Sequence, residues 1–149
     1  MQIRYVTTRF EFESALAELW TIEKLCCDFE TTGLDARVHE PRLLQLCSTK
    51  EEEEDRVVYV IDLFKCENID GLKALIESRS MLLFHNANFD FQFFLKLGID
   101  YKKKIFDTFI AERCLRAGFK EKKVSPKTEK VFFGDVSCSL KAVVERRLE

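Results

Sequence analysis

Glycine and proline are scarce here, with five and two residues respectively in a chain of 149. That excludes collagen-like repeats and the Pro/Gly-rich low-complexity segments that need roughly a quarter of the chain in these two residues. No apolar run approaches the ~18 residues of a membrane span. The start, Met1-Gln2-Ile3-Arg4-Tyr5, lacks the charged, apolar and small-residue sections of a secretory signal, so a cytoplasmic protein is the expectation. An excess of one charge is missing too: 24 Lys and Arg stand against 26 Asp and Glu, a formal net charge of −2. The chain as a whole therefore offers no strong attraction to a polyanion. Any grip on phosphate must be local or mediated by metal. Cysteines at positions 26, 27, 47, 66, 114 and 138 form no C-x-x-C pair, and four lie in apolar stretches. Buried free thiols are the expectation, ahead of disulfides or a zinc site.

The chain has 46% hydrophobic and 34% charged residues, which fits one globular domain over residues 1–149, in the usual range of roughly 100–150 residues. Thr8-Arg9-Phe10-Glu11 has capping-box spacing, and Phe12, Ala15, Leu16 and Leu19 recur at helical intervals, predicting a first helix to about Trp20. Lys24 to Glu30 reads as a strand that ends on two acids, followed by the turn residues Thr31-Thr32-Gly33. Leu43–Ser48 and Val57–Ile61 read as a hairpin joined by a solvated acidic loop, Glu51–Asp55. A helix over Asp70–Ser78, a buried strand Met81–Phe84 and a helix from near Phe89 to Gly98 follow. Ile105-Phe106 is extended and Thr108–Leu115 helical, while Gly118–Gly134, polar and without a period, reads as a mobile insertion. From the Ser139 cap, Leu140, Val143, Val144 and Leu148 line one face of a last helix with no closing Gly, Asn or Pro.

Two segments carry chemistry. In Asp28-Phe29-Glu30, residues i and i+2 of a strand point to one face, so two carboxylates converge. They repel unless protons or cations compensate them, and hard cations such as Mg²⁺ or Mn²⁺ prefer oxygen ligands. Taken alone, the pair reads first as an exposed strand end with solvated acids. The second segment, His85-Asn86-Ala87-Asn88-Phe89-Asp90, follows a buried strand and opens a helix. If the turn is already helical, Asn86 and Asp90 share a face beside a helix N-terminus, which attracts phosphate. Simple capping by Asn86 or Asn88, with Asp90 favouring the first turn, is the alternative.

Together the two segments resemble the first two signature motifs of the acidic-residue (DEDD) 3′–5′ exonucleases. The order of Asp28–Asp35, Arg42–Leu46, Val60–Phe64, His85–Asp90, Phe106–Thr108 and Ser139-Leu140 is similar to the proofreading domains of the bacterial DNA polymerase I family. The resemblance covers nearly the whole chain and implies an α/β, ribonuclease H-like three-layer fold, a mixed central sheet with helices on both faces. It further implies two-metal phosphodiester hydrolysis with two Mg²⁺ or Mn²⁺ ions. Asp28 would bridge both ions, Glu30 would hold the first and orient the water, and Asp90 would hold the second. Thr31 would meet the terminal 3′-hydroxyl, Leu34 the last base and Asn86 a phosphate, although Leu34 equally serves as a turn staple. The partner implied is a single-stranded or frayed 3′ end of DNA, with RNA, as in ribonuclease D, as the alternative, and a DNA polymerase domain in cis or in trans. Asp107 reads as a helix cap or a supporting group behind the ligands.

The family's third motif is a Tyr or His four residues before an Asp, and no Tyr or His here has an Asp at i+4. The expectation is that this motif lies downstream of Glu149, leaving residues 1–149 a C-terminally incomplete exonuclease domain. A weak or non-catalytic module that binds a nucleic-acid end or a polymerase is the rival reading. Since Met1 stands just ahead of the first helix, an N-terminal 5′-nuclease is expected to be absent.

Overall fold

The structure, a computed structural model, describes residues 1–48, 56–66 and 69–148, so the acidic loop expected over Glu51–Asp55 lies outside the described residues. The chain packs as two compact units, Met1–Phe106 and Asp107–Glu149. The elements of the first unit are β1 (Gln2–Val6), α1 (Arg9–Leu19), β2 (Lys24–Thr31), β3 (Pro41–Ser48), β4 (Val57–Asp62), α2 (Asp70–Ser78), β5 (Met81–Phe84), α3 (Ala87–Lys96) and β6 (Lys104–Asp107), whose last residue opens the second unit. Asp107 then caps α4 (Thr108–Leu115), accepting from the amide of Phe109 at 2.9 Å, as its place before a helix led one to expect. A two-stranded hairpin, β7 (Lys120–Val124) and β8 (Val131–Asp135), and α5 (Leu140–Leu148) complete the chain.

The six strands of the first unit form one mixed sheet in the order β1-β4-β3-β2-β5-β6. β2 and β3 are antiparallel, as are β3 and β4, which is the hairpin expected from sequence; β1 with β4 and β2 with β5 are parallel. This is the mixed-sheet α/β fold of the ribonuclease H-like class. Cross-strand partners share a face, so Val6, Leu25, Cys27, Phe29, Leu44, Leu46, Tyr59 and Ile61 make one continuous buried surface. Phe12, Ala15, Leu16 and Leu19 of α1, Leu72, Leu75 and Ile76 of α2, and Phe93 and Phe94 of α3 join it in one core. Phe29 meets Phe94 edge-on, ring centroids 4.9 Å apart, which packs α3 against β2.

Local chemistry accounts for the elements. The capping box of α1 is complete, with the Thr8 hydroxyl accepting from Glu11 N and the Glu11 carboxylate accepting from the Thr8 amide at 3.0 Å. Gly71 lets α2 sit against α1, because a Cβ there would stand 2.5 Å from Leu16 Cδ1. Gly98 takes φ +73 just past α3, where an L side chain would be strained. Asp62, in the Val60–Phe64 segment, is fully buried; it accepts from the Tyr5 hydroxyl at 2.7 Å and Phe64 N at 3.2 Å, and Arg42 lies 3.5 Å away. These ties join β1, β3 and β4.

One strand was unforeseen, one expectation needs correction, and the last helix leaves its apolar side uncovered. β1 was not foreseen, because its exposed residues Ile3 and Tyr5 are the apolar ones and invert the pattern of a half-buried strand. Gly118–Gly134 is no mobile insertion but contains β7 and β8, paired antiparallel from Lys120↔Asp135 to Val124↔Val131. The helix after Ser139 buries none of its residues along Leu140, Val143, Val144 and Leu148. Arginines hold it instead. Glu112 of α4, 3% exposed, accepts from Arg116 Nε at 3.1 Å, Arg146 Nη2 at 3.0 Å and Arg147 Nη2 at 3.1 Å. The cysteines are all free, with Cys27 and Cys66 buried. Among the described residues no helix is long and apolar enough to cross a membrane.

Candidate active site

β2 is paired with β3 along its length but with β5 only over Lys24, Leu25 and Cys26. Beyond Cys26 one edge of β2 has no strand beside it, and α3 brings a side chain there instead. Asp90, in the first turn of α3 and 2% exposed, accepts from the backbone amide of Phe29 through Oδ1 at 3.0 Å. Phe29 lies between Asp28 and Glu30, whose side chains occupy the opposite face of the strand from the buried Phe29 ring and are exposed. Asp90 is thus tied to the peptide unit that lies between Asp28 and Glu30 at the end of β2.

The electrostatics register the closeness of Asp28 and Glu30. Although Asp28 is exposed as a residue, its carboxyl is partly shielded from water, and this first, then the charge of Glu30, pushes it above the usual carboxylate range, with His85 pulling in the opposite direction. Gln45 stands directly across from Asp28 on β3 and donates through Nε2 to Asp28 Oδ2 at 3.4 Å. Sequence reasoning gave Gln45 no role, although a hairpin register placing it opposite Asp28 was the signal that would have found it. An oxygen donor set whose charge is uncompensated suits a hard divalent cation. Among the described residues, however, no three His, Cys, Asp or Glu side chains close into a ready-made metal cluster.

The β2–β3 register shifts between Glu30 and Thr31, bringing Thr31 opposite Pro41, which has no amide to continue the ladder. The turn beyond is tied by Thr31 Oγ1 donating to Gly33 O at 2.7 Å and by Glu40 N donating to Thr32 Oγ1 at 2.9 Å. A Cβ on Gly33 would lie 2.5 Å from the His39 ring, so any larger residue there would displace that ring. Leu34 projects from this turn at 82% exposure, so it packs on nothing and does not act as a staple. Asn86 takes φ 74, ψ 55 and makes no side-chain cap to α3. Because it is left-handed rather than helical, it does not share a helix face with Asp90 in the manner the four-residue spacing suggested. It marks a sharp turn from β5 into α3, next to α3's N-terminus.

A mixed α/β sheet with acids gathered at the end of one strand and a helix start beside them is the arrangement of a nuclease-like domain. Residues 3–146 match the family model described as 3′–5′ exonuclease, and the chain belongs to that family. It is 34% identical over 115 residues to DNA polymerase I of Aquifex aeolicus (strain VF5), an alignment covering 77% of this chain and 18% of that protein. The fold is shared with Escherichia coli RNase D, an exoribonuclease involved in structured RNA processing, at TM-score 0.61 and 19% identity over 75% of this chain and 28% of that one. Brucella melitensis NrnC with bound Mg²⁺ superposes at TM-score 0.62 and 19% identity, covering 99% of this chain and 62% of that one. At such identities the likeness is one of fold.

Proposed function

We propose that this chain is a metal-dependent 3′–5′ exonuclease domain that acts on 3′ ends of DNA in the manner of a proofreading nuclease. The observation that carries the reading is the hydrogen bond from the Phe29 amide to Asp90, with Asp28 and Glu30 on either side of Phe29. Bound divalent ions, held by Asp28, Glu30 and Asp90, would supply an activated water and stabilise the leaving 3′-oxygen. Mg²⁺ in NrnC supports that choice. The chain's own residues bind and orient. Leu34, exposed on the turn after β2, offers an apolar surface to the terminal base, and the Thr31 backbone lies beside it for the terminal 3′-hydroxyl. Asn86 turns the chain into α3, whose N-terminal amides favour a phosphate. Gln45 holds Asp28 in place from β3.

DNA is favoured because the relative aligned at 34% identity is a DNA polymerase, which also supports a polymerase domain as partner in cis or in trans. RNA is the second reading, supported by the fold shared with RNase D. A 5′-labelled DNA oligonucleotide and the RNA of the same sequence, each incubated with Mn²⁺, test both. Stepwise shortening from the 3′ end, faster on DNA and lost in Asp28→Asn, is expected. Shortening that persists in Asp28→Asn overturns the site, and faster shortening of RNA overturns the substrate.

A further inference from the structure

The second unit carries a surface unlike the rest of the chain. Residues 118–134 hold five lysines against two glutamates, a net charge of +3 in a chain whose formal net charge is −2. They contain β7 and β8, registered so that Lys122 faces Phe133 and Val124 faces Val131. Side chains alternate across a strand, so Lys120, Lys122 and Val124 share one face with Val131, Phe133 and Asp135. Every residue on that face is exposed, Phe133 at 73%. The opposite face makes the hairpin's own ties: Ser137 N donates to Glu121 Oε1 at 3.1 Å, and Lys123 pairs with the same oxygen at 3.2 Å. Lys120 is paired with Asp135 at 2.5 Å, which leaves Lys122 as the cation directly across from the Phe133 ring.

An aromatic ring and two valines left in water, with a lysine about 5 Å away across the ladder and Lys127 and Lys130 near the turn, form a mixed apolar and cationic strip. A partner that fits must alternate a flat apolar surface with negative charge at short spacing. An unpaired nucleic-acid strand does so, because each base offers a π-face and each phosphate an anion. A duplex hides its base faces in the stack. We propose that the outward face of the β7–β8 hairpin binds unpaired nucleotides of a single strand, with a base stacked on Phe133 and flanking phosphates met by Lys122 and by Lys127 and Lys130. The proposal rests on the nucleic-acid reading above and adds a binding surface carried by the second unit.

Fluorescence anisotropy of a labelled 12-nucleotide single strand, in chelator so that no hydrolysis occurs, tests it with the whole chain. Phe133→Ala should weaken binding about tenfold, within the range measured for losing one stacked base. Phe133→Trp should retain it. Lys122→Ala should make the salt dependence shallower by about 0.7 in the slope of log K against log[salt]. A blunt duplex should bind Phe133→Ala and wild type alike. Equal single-strand affinity for Phe133→Ala and wild type overturns the proposal, as does concentration-dependent self-association abolished by Phe133→Ala, which would make the strip a protein interface. Phe133-dependent binding without any shortening in Mn²⁺ would sink the exonuclease reading and leave the hairpin site standing; shortening with Phe133-independent binding would do the reverse.

Discussion

Asp90 accepts a hydrogen bond from the amide of Phe29, its Oδ1 3.0 Å from the nitrogen, at the point where β5 no longer pairs with β2. The side chain stands where a neighbouring strand's carbonyl would be. Asp90 is therefore a structural acceptor as well as a member of the acidic group, and the two roles separate by substitution. Asp90→Ala leaves a buried N–H without its acceptor, a loss of about 1–3 kcal/mol, enough to lower the melting temperature by several degrees. Asp90→Asn keeps an acceptor oxygen and removes only the charge, so it should melt near wild type. It should lose most of the rise in midpoint that millimolar Mn²⁺ gives the wild type. If Asn and Ala destabilise equally, the hydrogen bond to Phe29 is not what Asp90 contributes to the fold.

Asp28 gives a pH-dependent stability. Its folded-state pKa is raised above the ordinary 3.8, first by burial and then by Glu30. A raised value means that the protonated form is the better tolerated one in the fold. Its favourable contribution is complete below the unfolded value and lost as pH rises through the folded one. Asp28→Asn should consequently melt higher than wild type at pH 7 without metal, by roughly 1–3 °C given how much solvent screens this exposed residue. The difference should vanish below about pH 3.5, where both states of the wild type bind the proton. A constant difference across pH would show that Gln45 or packing, not charge, sets the effect.

Much of this arrangement was legible in the sequence because it rests on local chemistry. Thr8 and Glu11 announced α1, the i, i+2 spacing of Asp28 and Glu30 placed both on one strand face, and Asp107 announced the cap of α4. What stayed hidden depends on pairing between distant segments. β1 exists because β4 offers it an edge, and its exposed Ile3 and Tyr5 gave no inward period. β7 is charged except for Val124, and β8 carries Val131, Phe132 and Phe133 all exposed, so no buried face announced them. Gln45 became part of the site only through its register opposite Asp28, and Asn86 left the shared face through a left-handed turn that spacing alone does not encode.

The closeness of α1 and α2 gives a stability test away from the site. A Cβ on Gly71 would lie 2.5 Å from Leu16 Cδ1, and Leu16 is buried. Gly71→Ala should destabilise the first unit by about 1–3 kcal/mol through overpacking, despite the better helix propensity of alanine. Adding Leu16→Val should recover part of that loss, since the two sites share one contact and should not be additive. Urea midpoints of the two single variants and the double variant measure it; simple additivity would place the strain elsewhere.

The last helix gives the sharpest acid response, because it is held by charge and not by burial. Glu112 takes hydrogen bonds from Arg116, Arg146 and Arg147, and these arginines pull its carboxyl down from 4.5 to about 2. α5 buries no residue, so Arg146 and Arg147 reaching Glu112, with Arg146 also donating to Ser137 O at 2.7 Å, are its main attachments in the second unit. A depressed folded pKa means stability that is present above the unfolded value and lost as pH falls through the folded one, here between about 4.5 and 2. Protonated Glu112 no longer offers two anionic oxygens to three guanidinium groups, and α5 should then detach and fray. Protection of the amides over residues 140–148, measured relative to intrinsic exchange at each pH, should fall in wild type across that interval. In Glu112→Gln it should already be low at pH 7, with a wild-type to variant difference that closes by pH 2. Because the Glu112 carboxylate is enclosed, 0.5 M salt should reduce the effect at pH 7 without removing it. Equal protection of α5 in wild type and Glu112→Gln at pH 7 would mean that Val143 and its apolar neighbours hold the helix after all.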